Sequence, residues 1–235
     1  MTTFLFPQPC IVCGEPSKSG SPVCQSCLVN RFIFSIQNVS ISGENYYRCE
    51  KCGRFLVSTE KICFGCRTTP VLTAIDRIIP LFPYISWGQD LLTSWKIVGM
   101  RGLSWTFAQC LAHVLMFDPD IRGVPIVPVP PRPGKLSEKG WDQIEDLVKI
   151  LAHVYKLPVL KCLSRTGGQQ QKKLGRIARL QNIRGNITVR AGISIPERVI
   201  ILDDLMTTGS TLDSCAEVLK IAGCGKVYGL ALFFD

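Results

Sequence analysis

The stretch that most limits what this chain can fold into is residues 199–211, Val-Ile-Ile-Leu-Asp-Asp-Leu-Met-Thr-Thr-Gly-Ser-Thr. Its first four residues are apolar and mostly β-branched, which is the composition of a strand buried in a parallel sheet. Asp203 and Asp204 stand where that strand is expected to end. Met206, Thr207, Thr208, Gly209, Ser210 and Thr211 follow as a short hydroxyl-rich loop, and residues 212–222 have a helical pattern. A strand, a loop and a helix start in that order form a ligand site at the carboxyl end of an open α/β sheet. Backbone N–H groups at the helix start, with the helix dipole, suit an anionic oxygen cluster of phosphate size. Gly209 lets the backbone approach such a ligand, and the hydroxyls around it donate hydrogen bonds. The two carboxylates are repelled by phosphate and suit the hydroxyls of a sugar attached to it.

The first seventy residues follow a different rule. Cys10-x2-Cys13 is followed ten residues later by Cys24-x2-Cys27, and Cys49-x2-Cys52 is followed, again ten residues later, by Cys63-x2-Cys66. The halves repeat each other down to a glycine after the second cysteine, Gly14 and Gly53. Two Cys-x2-Cys turns complete a tetrahedral shell of four thiolates, so eight cysteines in this spacing hold two Zn²⁺. Such sites are structural, because four protein ligands leave no open position for water or substrate. The repeat favours consecutive pairing, Cys10, Cys13, Cys24 and Cys27 on one metal and Cys49, Cys52, Cys63 and Cys66 on the other. Interleaved pairing, as in cross-brace domains, is the rival. The remaining cysteines, Cys110, Cys162, Cys215 and Cys224, fall in no motif and read as small core residues. His113 and His153 lie in apolar helical runs and read as packing residues.

From about residue 71 strands alternate with helices. Strands are expected at 77–85, 125–129, 159–163, 199–202 and 226–233, and helices at 88–98, 103–117, 141–155 and 212–222. A basic, partly helical stretch is expected at 172–181. This order argues for a mostly parallel sheet covered on both faces. The boundaries are a cysteine module over 1–70 and an α/β domain over 71–235. No stretch is long and apolar enough to span a bilayer, and the N-terminus lacks the pattern of a signal peptide, so a cytoplasmic location is expected. The formal net charge of +9 fits a phosphate-rich partner, a phosphosugar or a nucleic acid. Arg132, Lys135 and Lys139 follow the 125–129 strand, and Arg165, Lys172, Lys173 and Arg176 form a second basic group. Phe32, Phe34, Tyr46 and Tyr47 are candidates to stack on single-stranded bases.

Residues 199–211 closely resemble the phosphoribosyl pyrophosphate (PRPP) signature of type I phosphoribosyltransferases. The resemblance widens to the ComF family, which places a cysteine-only zinc module ahead of such a domain. Its middle motif, Val-Pro-hydrophobic-Pro, a basic loop, then Arg-Gly-Phe-Asn-Gln, is matched by Val127-Pro128-Val129-Pro130 and Lys139-Gly140-Trp141-Asp142-Gln143. Its next element is matched by Gln171-Lys172-Lys173-Leu174 and Arg179-Leu180-Gln181-Asn182-Ile183. Lys139 replaces the usual arginine, and Trp141-Asp142 replaces Phe-Asn.

The resemblance implies a type I phosphoribosyltransferase-like parallel sheet behind a double zinc ribbon. It implies that Asp203 and Asp204 bind the ribose hydroxyls and serve in catalysis, and that residues 206–211 bind the 5′-phosphate. Arg132 and Lys139 are the pyrophosphate partners of choice, with Mg²⁺ accompanying PRPP. The implied setting is competence, the uptake of DNA in natural transformation, with single-stranded DNA or an uptake helicase as partner. No residue announces the acceptor of the phosphoribosyl group. Two other readings stand beside this one: a nucleobase salvage phosphoribosyltransferase, and a non-catalytic PRPP-sensing scaffold for a protein partner.

Overall fold

The computed structural model describes residues 9–17, 21–33, 48–56, 59–68, 72–166 and 186–235. In the cysteine-rich part, α1 (Gln25–Cys27) runs into a π turn (Leu28–Ile33), and α2 (Phe64–Thr68) follows the third Cys-x2-Cys turn. Then come β1 (Arg77–Pro83), α3 (Trp87–Thr93) with a π turn (Ser94–Val98), and α4 (Leu103–Phe117). After them come β2 (Ile126–Pro128), α5 (Lys135–Lys139), α6 (Gln143–His153), β3 (Leu163–Arg165) and β4 (Ile187–Val189). The chain closes with β5 (Arg198–Met206), α7 (Ser210–Ile221) and β6 (Lys226–Phe234).

Four strands form a parallel sheet in the order β1-β6-β5-β2. The apolar run at its centre alternates by the period of two that a pleated strand imposes. Ile200 and Leu202 face one core, Val199 and Ile201 the other. The first core is filled by α4 and α6, the second by α7. The sheet is therefore covered on both faces, and its open end, where β2 and β5 finish, is where the candidate site lies.

The two cysteine groups divide between these cores. Cys10, Cys27 and Phe32 pack with the α4 side, while Cys49 and Cys52 pack with the α7 side. The second group also lies along the outer edge of β1: Ile78 N–H donates to the Lys51 carbonyl at 2.9 Å, and Arg48 donates to the Pro80 carbonyl at 3.4 Å. The contact is too close for a side chain at Gly53, where a Cβ would fall 2.2 Å from the Pro80 ring.

Several expectations are corrected. Strand β5 does not stop at Leu202 but runs to Met206, because Asp203 to Met206 stay in register with β6. The 159–163 stretch supplies only a bridge from Val159 to Ile126, and Leu163–Arg165 pairs antiparallel with Ile187–Val189. A one-turn helix, Lys135–Lys139, interrupts the expected basic loop, entered and left through Gly134 and Gly140 at positive φ. Phe32 cannot stack on a base. It is fully buried, with its ring 5.0 Å from Phe82 and 5.5 Å from Trp87. His113 and His153 lie on exposed helix faces rather than in the packing. Cys110, Cys162, Cys215 and Cys224 are all buried, as core residues should be. The 172–181 stretch, with Lys172, Lys173 and Arg176, lies outside the described residues, as do Phe34, Tyr46 and Tyr47. Among the described residues no helix is long and apolar enough to cross a membrane.

Candidate functional site

The eight cysteines gather in the consecutive grouping. The sulfurs of Cys10, Cys13, Cys24 and Cys27 lie within 4.8 Å of one another, and so do those of Cys49, Cys52, Cys63 and Cys66. The local geometry repeats as the spacing does. Gly14 N–H donates to the Cys10 carbonyl at 2.7 Å, and Gly53 N–H to that of Cys49 at 2.8 Å, with both glycines at positive φ. In each group the first sulfur accepts a backbone N–H from the third cysteine, Cys24 to Cys10 at 3.2 Å and Cys63 to Cys49 at 3.3 Å. Burial pushes the Cys10 pKa up, but the N–H groups of Cys24 and Val12 outweigh it and bring the thiol down to about 6. Cys49 is brought down to about 7 in the same way. Burial pushes Cys27 and Cys66 up. The first sulfur of each group is thus favoured as a thiolate, while burial opposes ionisation of Cys27 and Cys66 without a cation. Four sulfur donors at this separation suit structural zinc.

At the sheet's open end, Thr207 to Gly209 form the turn from β5 into α7. Gly209 is the helix's N-cap, with φ 78°. A Cβ there would sit 2.6 Å from the Leu72 side chain, so the glycine serves both the turn and the packing beneath it. The Thr208 and Ser210 hydroxyls bond each other, and Ser210 N–H points back at Thr208 Oγ1 at 3.4 Å. Thr207 is exposed and Thr211 half-buried at the helix start. Met206 is buried in the second core, and its carbonyl accepts from Asp235 N–H at 3.0 Å. Asp213, one turn into α7, is a framework group. Its carboxylate accepts from the N–H groups of Thr73, Ala74 and Ile75 at 2.8–3.0 Å and ties the chain leaving the second cysteine group to the helix.

The paired acids are not equivalent. Neighbouring residues leave a strand on opposite faces. Asp203 is half-buried and accepts from Asp204 N–H at 2.9 Å. Burial, and then the Asp204 charge, push its carboxyl up to about 7. Asp204 is buried and is held by side chains: Lys96 Nζ at 2.8 Å and Gln143 Nε2 both meet its Oδ2. Lys96 is itself drawn down by burial, but the Asp204 carboxylate outweighs that and the net shift is upward. Behind Gln143, Lys135 Nζ reaches the Gln143 Oε1 at 2.6 Å and pairs with Asp142, which also caps α6 through the N–H groups of Ile144 and Glu145.

Of the predicted cations, Arg132 lies exposed against Glu138 on α5, and Lys139 reaches the Lys96 carbonyl at 3.4 Å. Lys139 thus touches the backbone of the residue whose side chain meets Asp204, while Arg132 is engaged within its own loop. Lys96 was missed by sequence reasoning, since nothing marks one lysine between Trp95 and Ile97 in a helical run. Gln143 carried a signal as the last residue of the Lys139–Gln143 motif but was given no role.

No family model matches the chain. It is 25% identical over 231 residues to the competence protein ComFC of Streptococcus pneumoniae (strain ATCC BAA-255 / R6), covering 95% of this chain and 98% of that protein. Among solved structures it is similar to a hypoxanthine phosphoribosyltransferase from Staphylococcus aureus. That likeness has 21% identity and a TM-score of 0.32 and covers 57% of this chain and 62% of the other. The α/β architecture is that of the chain's own parallel sheet with helices on both faces, and the paired four-cysteine groups stand ahead of it. From end to end this chain resembles the ComF family, through ComFC and through its own motifs.

Proposed function

We propose that this is a ComF-type competence protein in which residues 71–235 bind PRPP with Mg²⁺ and transfer its phosphoribosyl group, while residues 1–70 form a double zinc ribbon. One observation carries the reading. Two carboxylates at the end of a central parallel strand lead through a positive-φ glycine into the N-terminus of a twelve-residue helix. The loop at 207–211 takes the 5′-phosphate on backbone N–H groups and hydroxyls. Asp203 and Asp204 take ribose hydroxyls, and Arg132 and Lys139 meet the pyrophosphate as its bond to C1 breaks. Mg²⁺, when bound with PRPP, neutralises that leaving group. The name of the pneumococcal relative supports a setting in competence, and the chain's basic charge supports a nucleic-acid partner such as single-stranded DNA, with an uptake helicase as a protein partner and the cytoplasm as location.

Calorimetry with PRPP and Mg²⁺ tests the site. A hydrogen bond to a charged group contributes about 1.5–3 kcal/mol, so Asp203→Ala should weaken binding roughly ten- to a hundredfold. Thr208→Val should weaken it while leaving the fold intact. Unchanged affinity in both variants refutes the assignment. Because the Asp203 carboxyl sits near 7 and accepts a hydroxyl best when ionised, affinity should climb as pH rises from about 6 to about 8. Pyrophosphate release, measured with each common nucleobase, separates the readings. Release accelerated by one base marks a salvage enzyme, and binding without release in any mixture marks a scaffold.

A further inference from the structure

Lys96 leaves the π turn that follows α3 and places Nζ 2.8 Å from Asp204 Oδ2, at the end of β5. Gln143 Nε2 donates to the same oxygen. The amide cannot turn over without loss, because its Oε1 accepts from Lys135 Nζ at 2.6 Å. Asp204 is 6% exposed, and Asp203 beside it brings a second like charge. Burying a carboxylate there is costly unless a cation and hydrogen bonds meet it. Lys135 is committed to Asp142 and to the Gln143 side-chain carbonyl, and Lys139 donates to the Lys96 backbone carbonyl. Among the described residues, Lys96 is the ammonium that meets the Asp204 carboxylate directly.

We propose that Lys96 is a positioning residue of the phosphoribosyl site: with Gln143 it pins Oδ2 of Asp204 and so presents Oδ1, fixed in place, to a ribose hydroxyl. The inference rests on the reading of residues 203–211 as a PRPP site. Lys96 acts through Asp204, on the sugar half of the ligand. The phosphate half is built from residues 207–211, which make their own contacts. An acceptor held in place beforehand spares the ligand the cost of ordering it. The two halves of the ligand are therefore separable by measurement.

The test compares PRPP with Mg²⁺, ribose 5-phosphate and inorganic phosphate on wild type, Lys96→Met, Lys96→Gln and Lys96→Arg by calorimetry. Both neutral variants should lose about tenfold or more toward PRPP and ribose 5-phosphate, and Lys96→Arg should regain most of that loss. Inorganic phosphate should bind all four proteins within about twofold, since its contacts lie in the loop. Lys96→Gln keeps a polar end at a half-exposed position and carries the test should Lys96→Met not fold. Ribose 5-phosphate bound equally by wild type and the neutral variants overturns the inference alone. A parallel loss of inorganic phosphate also overturns it, because it marks collapse of the whole site. Wild type that binds phosphate but no PRPP overturns the phosphoribosyl reading and the inference together.

Discussion

Chelating the metal from this protein should unfold both cysteine units and loosen the sheet between them. Structural zinc in small four-ligand sites supplies roughly 10–16 kcal/mol of apparent binding free energy at neutral pH. That equals or exceeds the whole stability of an ordinary domain, about 5–15 kcal/mol. Here the loss would not stay local. Cys10 and Cys27 are part of one core, Cys49 and Cys52 part of the other, so each cysteine group braces a different face of the same sheet. Elemental analysis should return about two zinc ions per chain, one for each group of four thiolates. Chelator titration followed by circular dichroism should show loss of structure together with metal release. A stoichiometry near one, or a metal-free protein with its fold intact, would sink the claim. Acidification should release the metal as well, because the thiolates must take up protons to let it go.

The second large effect belongs to Phe32. Truncating a buried phenylalanine costs about 3–5 kcal/mol, and Phe32→Ala should fall in that range by urea denaturation. The ring lies between Phe82, Trp87 and Phe107, at centroid distances of 5.0, 5.5 and 6.3 Å, so its removal opens a cavity lined by large rigid neighbours. Phe64 provides the control. It stands in the second cysteine unit but is 72% exposed, and Phe64→Ala should change stability by no more than about 0.5 kcal/mol. Equal effects from the two variants would mean that the first cysteine unit does not anchor through its aromatic residue.

What the sequence made legible tracks how local the cause is. The strand at the centre of the sheet was readable because Val199 to Leu202 are β-branched or apolar without a break, and the partnership of the cysteines because their spacing repeats. Gly14 and Gly53 were readable from their place after a cysteine, and both take positive φ. Phe32 was misread because an aromatic residue near cysteines has no periodicity to say which way it points. Its burial depends on residues some fifty to seventy-five positions later in the chain. Strands β3 and β4 escaped because three-residue strands carry little pattern, and their pairing spans more than twenty residues. At the candidate site the acids and the loop were contiguous in sequence and therefore visible. Lys96 and Gln143 reach Asp204 from two other segments, and only the packing of those segments on the sheet brings them there.

The contact between the second cysteine unit and β1 has a consequence for how this protein behaves at high concentration. β1 is the last strand on its side of the sheet, and four of its seven residues, Ile78, Ile79, Leu81 and Phe82, are large buried apolar residues. A bare edge of that composition is a template on which another chain can add a strand. Pro80 and Pro83 blunt it, since neither can donate a ladder hydrogen bond. The rest of the protection comes from residues 48–53, whose Lys51 carbonyl takes the outward N–H of Ile78. A metal held by the second group would therefore act as a guard against self-association, and losing it should expose the chain to strand-by-strand oligomerisation as well as to unfolding.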